Sequence, residues 1–161
     1  IEAFSMGQIT EATGTVSGNF LINGATNSPE ITGKLVFINS FIKPAALNNR
    51  IELKKETIQL KNDGIYFNDF TLLDMNQHTA IIDGSVKMEY LNNIVFALKV
   101  KTEDFLLINT TVKDNKQFFG KIIIDSKIDI AGSLSMPVIN ANIKMKNGSN
   151  FTIVMTFLDV V

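Results

Sequence analysis

Cysteine is absent from this chain, which excludes disulfides, thiolate nucleophiles and cysteine-ligated metal. Histidine occurs once, as His78 beside Asn76-Gln77; a lone imidazole with no second soft ligand reads as a surface residue, not a metal ligand or a base. Tryptophan is missing and proline is scarce. Neither sign of charge prevails: 15 basic side chains stand against 16 acidic ones, without the basic excess that a nucleic-acid binder carries. No run approaches the roughly 18 apolar residues of a membrane-spanning helix. The chain opens on Ile1 with no charged-then-apolar leader behind it. It reads as a segment of a longer protein whose targeting signal and anchor lie elsewhere.

Catalytic signatures are missing too. Ser5, Ser17, Ser85 and Ser126 stand in no nucleophile elbow, and no glycine-rich loop leads into a helix. Asp125 and Asp129 fall on one face of a strand but ~13 Å apart at strand rise, too far for a carboxylate dyad. Asp63-Gly64 and Asp83-Gly84 lack the ligand ladder of a calcium loop and read as tight turns. The expectation is a protein without catalytic residues, metal or cofactor.

What the chain has is alternation. With 45% hydrophobic and 19% charged residues over 161 positions, it is ordered and about the size of one domain. Thr15–Asn23 places Val16, Gly18, Phe20 and Ile22 on one side and mostly polar residues on the other. Phe118–Ile130 sets Ile122, Ile124, Ile128 and Ile130 against Lys121, Asp125, Lys127 and Asp129. The same period recurs through Leu35 and Phe37, through Ile82, Val86 and Met88, and through Phe96, Leu98 and Val100. It appears again in Ile139, Ile143 and Met145, and in Phe151–Phe157. Each run predicts a strand with one apolar and one wetted face, the pattern of an antiparallel sheet. Two stretches slip phase: Ile51 and Leu53 against Ile58 and Leu60, and Ile65 and Phe67 against Phe70 and Leu72. A one-residue slip predicts a β-bulge or bend. Turn residues separate the runs at Asn27-Ser28-Pro29, Asn48-Asn49, Asn62-Asp63-Gly64, Met75-Asn76-Gln77, Asn92-Asn93 and Asn147-Gly148. The only helical turn predicted is a short one at Pro44–Leu47. About ten strands joined by short turns follow.

One motif occurs twice. Gly24 to Ile31 and Gly132 to Ile139 share the pattern Gly-x4-Pro-x-Ile, and the apolar phase agrees outward on both sides. Both copies read as strand, turn, strand. Their 108-residue separation is too long for a solenoid or propeller period, so one hairpin design is used twice along an extended sheet.

These two hairpins, the run Ala46–Arg50 through Ile58–Phe67, and Asp83-Gly84-Ser85-Val86 resemble the C-terminal domain of the TamB family, closest to Bacteroidota-type members. The final Ile153–Val161 departs from that pattern. The resemblance implies a long periplasmic protein of a Gram-negative bacterium, anchored in the inner membrane and reaching an outer-membrane barrel of the Omp85 type. It implies a sheet curled into an open apolar trough, with roles in outer-membrane biogenesis, client outer-membrane protein insertion and phospholipid carriage. Alternation alone fits a closed β-sandwich equally well and, on the commonness of such folds, favours it; the resemblance reverses that preference. Under the trough reading, the expected lining for phospholipid acyl chains is Phe20, Ile22, Leu35, Phe37, Ile82, Val86, Phe96, Leu98, Ile122, Ile124, Ile128, Ile143 and Met145. The alternative is a scaffold that templates client strands along its free edges.

Overall fold

A computed structural model describes residues 5–26, 28–89 and 93–155. Nine strands follow one another: β1 (Ile9–Ala25), β2 (Ser28–Pro44), β3 (Ile51–Lys61), β4 (Gly64–Leu73), β5 (Thr79–Glu89), β6 (Asn93–Thr110), β7 (Phe118–Ser133), β8 (Met136–Met145) and β9 (Asn150–Ile153). The order in space is the order in sequence from β1 to β8, every pair antiparallel. β1 and β8 do not pair, so the sheet stays open. Short two-residue connections such as Asn62-Asp63 and Leu134-Ser135 impose this meander, because they leave a strand no neighbour but the next.

β9 extends β8 rather than adding a row. β8 pairs Ile124–Ser133 of β7, and β9 pairs Phe118–Lys121 of the same strand. Asn147-Gly148 is a turn as predicted, with Ser149 N–H donating to Lys146 O at 3.2 Å, and it joins two strands that share one edge row. Ser149 holds it, its Oγ accepting from Ile123 N–H at 3.0 Å. The turn at Pro44 is present as predicted, with Asn48 N–H donating to Pro44 O at 2.9 Å.

The repeated motif forms the same hairpin twice. Gly24 pairs with Pro29 and Ile22 with Ile31; Gly132 pairs with Pro137 and Ile130 with Ile139. The two glycines share φ near +88° and +86°. These are the outermost hairpins of the sheet. Pro137 sits on the edge strand, and Pro29 lies beyond the stretch where β2 pairs with β3, so neither removes a needed ladder donor.

Of the two predicted phase slips, the one in β4 is a bulge between Phe67 and Phe70, with Asp69 at φ +48°. The one in β3 has a different basis. β3 keeps its register with β2 throughout, and its ladder to β4 is interrupted between Glu52↔Leu73 and Gln59↔Tyr66. Glu56 fills part of that gap, its carboxylate accepting from Thr71 N–H at 3.0 Å. A further bulge in β6 places Asp104 at φ +48°. Asp69 and Asp104 are held alike, each N–H donating at 2.8 Å to an aspartate on the next strand, Asp83 and Asp125.

Glycine sets the tight coil of the central strands. Gly84 on β5 has φ +115°, and a Cβ there would sit 2.0 Å from Ala97 O of β6. Gly84→Ala is expected to destabilise the domain by about 1–3 kcal/mol from backbone strain alone, with the clash in addition. Denaturant unfolding measures this; a change under 0.5 kcal/mol would mean the backbone relaxes freely.

Candidate functional site

Residues directly paired across a sheet present their side chains to the same face, so register defines the rows of the apolar surface. One row crosses all eight positions: Phe20, Gly33, Leu60, Ile65, Val86, Phe96, Gly132 and Pro137. The next contains Phe67, Gly84, Leu98, Ile130 and Ile139, and a third Phe70, Ile82, Val100, Ile128 and Ala141. The opposite face is polar, as the row Asn19, Lys34, Gln59, Tyr66 and Ser85 illustrates. A shallow depression of about 620 Å³ near Lys34, Gln59 and Lys61 belongs largely to that polar side.

The apolar rows are neither buried nor bare. Leu35, Phe37, Ile82, Val86, Phe96, Leu98, Ile122 and Ile128 are half-buried, and Phe20, Ile22, Ile143 and Met145 are exposed on the two edge strands. A sandwich would have sealed these positions. Ile124 differs: it shares the face but is only 4% exposed. It packs at one end of the trough and offers no accessible wall.

That end is the base, where β4 and β6 finish. Phe70, Leu73, Ala80, Phe105, Leu106 and Ile124 are buried there together with Ile51 and Leu53. Phe70 meets both Phe37 and Phe67 edge-on, with centroids 6.1 and 5.5 Å apart.

The closure has an identifiable cause. β5 pairs β6 only as far as Thr102, so the last turn of β6 overhangs with an unpaired edge. Loops from across the sheet cover it. Asp74, after β4, is fully buried, and its Oδ2 accepts from Leu106 N–H at 2.6 Å. Its Oδ1 accepts from Asn76 N–H at 2.7 Å and His78 N–H at 2.9 Å. Asn49, after β2, is also fully buried and donates through Nδ2 to Leu106 O. Beside it, Asn109 N–H donates to Leu47 O at 2.9 Å and Asn48 Nδ2 to Asn109 O at 3.0 Å. In a flat sheet three strand spacings, ~14 Å, would separate β3 from β6. These bonds require the sheet to curl.

His78 is at the surface as predicted, but its Nδ1 lies 3.3 Å from buried Asp74. Asn49 and Asp74 were not legible as site residues, since each reads in sequence as an ordinary turn residue.

The outer face carries its own clamp at the β8–β9 turn. Lys146 reaches Asp125 at 2.8 Å and Asp104 at 3.1 Å. The Asp104 amide and the Lys146 ammonium hold the Asp125 carboxyl below the usual carboxylate range, and the Asp125 and Asp104 carboxylates raise Lys146. Among the described residues no group of three or more acidic or histidine side chains is placed to hold a metal ion.

An open antiparallel sheet with an accessible apolar face and a polar back defines an amphipathic trough domain, a shape that can hold apolar matter. A family model described as the TamB C-terminal domain matches residues 68–156, more than half of the chain, and the chain belongs to that family. It is thereby a domain of a TamB-like protein of outer-membrane biogenesis, a non-enzymatic component of translocation and assembly. No curated protein and no solved structure matches the chain.

Proposed function

We propose that the trough binds phospholipid acyl chains, within a periplasmic TamB-like protein that is anchored in the inner membrane and meets an Omp85-type barrel in the outer membrane. The observation that carries this reading is the half-exposure of a continuous apolar face, which gives acyl chains a surface to cover without exposing them fully to water. The wall is collective, and no single member is individually essential.

Photo-crosslinkers placed at Phe20, Phe96 and Leu98 of the full-length protein in cells are expected to capture phospholipid. The same probe at Lys99, on the polar face, should capture none. Adducts absent from all three trough positions, with the protein folded and in place, would sink the reading.

A second reading, templating of client outer-membrane strands, draws on the unpaired edge β8. That strand exposes apolar side chains to both faces, with Val138 on one and Ile139 and Ile143 on the other. Client protein crosslinked along β8, with no lipid in the trough, would favour it. Phe157, at the end of the edge segment considered from sequence, lies outside the described residues.

A further inference from the structure

We infer that the trough is blind: a bound acyl chain lies with its methyl end against the base and its polar head at the hairpin tips, and it enters and leaves without passing the base. This rests on the acyl-chain reading above.

Burial along the strands shows where a chain must stop. On β7, Ile130 and Ile128 are half-buried, and then Ser126 and Ile124 are both 4% exposed. On β6, Phe96, Leu98 and Val100 are half-buried, and then Thr102 and Phe105 are closed off. On β5 the change falls between Ile82 and Ala80. The three transitions lie side by side, because Ala80 pairs with Thr102 and Thr102 with Ser126. They define one floor rather than scattered buried residues. Thr102 Oγ1 and Ser126 Oγ lie 2.9 Å apart, and Thr102 Oγ1 also donates to Ile124 O at 3.2 Å. These two floor hydroxyls are thus satisfied internally.

Length agrees with one lipid tail. From Gly132 to Ser126 is six strand steps, ~20 Å at ~3.3 Å each, and one leaflet of a bilayer core is ~15 Å deep. Polarity agrees with the orientation. The tip between β3 and β4 carries exposed Asn62 and Asp63, whereas the floor is lined by Phe70, Phe105 and Ile124. A head group at the base would meet phenylalanine. At the open end it meets water.

The bonds of Asp74, Asn49 and Leu47 to β6 hold the floor shut, which makes the inference testable by locking them. Leu47→Cys combined with Asn109→Cys joins two hydrogen-bonded backbones, and this segment has no cysteine of its own to compete. In the full-length protein in cells, crosslinkers at Phe96 and Val100 should capture phospholipid in equal yield with the disulfide formed or reduced. Outer-membrane function should persist in the locked state. Loss of adducts or of function only in the locked protein would overturn the blind base. A second probe needs no disulfide: a crosslinker at Ile122, beyond Ile124 from the tips, should capture no lipid, and adducts there would overturn the inference. Absence of lipid at Phe96, Val100 and Ile122 alike, locked or not, would instead remove the acyl-chain reading and this inference with it.

Discussion

Ile124→Arg should unfold the domain, whereas Leu98→Arg should leave it folded and abolish its function. Both residues lie on the apolar face, and alternation treats them as equivalent. Ile124 is 4% exposed, paired with Phe105 on one side and Met145 on the other. A guanidinium there is buried without a partner and displaces close-packed apolar groups, for an expected loss of about 4 kcal/mol or more. That is comparable to the whole stability of many domains of ~5–15 kcal/mol. Leu98 is half-buried, next to Gly84 on β5 and Ile130 on β7, in the open part of the trough. An arginine there can run its stem along the wall and keep its head in water, at about 1–2 kcal/mol. The head still stands where an acyl chain would lie. Thermal unfolding of the segment, set beside complementation by the full-length protein, separates the two variants. A folded Ile124→Arg would show that the base is open; an unfolded Leu98→Arg would show that the trough is a sealed core.

The second large effect is expected at Asp74. Asp74→Ala removes the acceptor for the Leu106, Asn76 and His78 amides at once. Leu106 is 1% exposed, so its N–H has no water to turn to, and an unsatisfied buried donor costs ~1–3 kcal/mol. With the turn amides and the His78 ring contact also lost, about 3–5 kcal/mol is expected. The damage should be local first. Amide exchange at Leu106 and Asn109 should accelerate far more than at Phe96, because the base opens while the β5–β6–β7 ladder near the tips stays paired. Equal acceleration at all three sites would mean that Asp74 stabilises the sheet globally and is not a clamp on its base.

Most of the fold was legible because a strand writes its two faces into alternate residues. The shared apolar face of β5, β6 and β7 emerged that way, and the pairing of Ile82 with Val100 and Val100 with Ile128 shows it. The paired motif Gly-x4-Pro-x-Ile predicted two equivalent hairpins, and they have matching registers and matching glycine torsions. The bulge at Asp69 was visible as a slip from Phe67 to Phe70. The slip in β3 was visible too, but its cause was not, since an interrupted ladder to β4 depends on what the neighbour does. The strand count among the described residues came out at nine, and the Asn147-Gly148 turn joins two strands that pair with the same neighbour. Turn residues mark where a chain departs from the ladder; whether it returns to the same partner strand depends on backbone geometry further along.

Sequence by itself thus determined an all-β chain with one apolar face, because side-chain periodicity is a local property. Only the tertiary structure decided which part of that face is sealed. Ile124 and Ile128 share one face of β7, two alternation steps apart, and they differ because the overhang of β6 must find hydrogen-bond partners. It finds them in Asn49 and Asp74, from loops that sequence leaves unassigned. Satisfying those buried backbone groups curls the sheet, and the curl makes a trough with a floor.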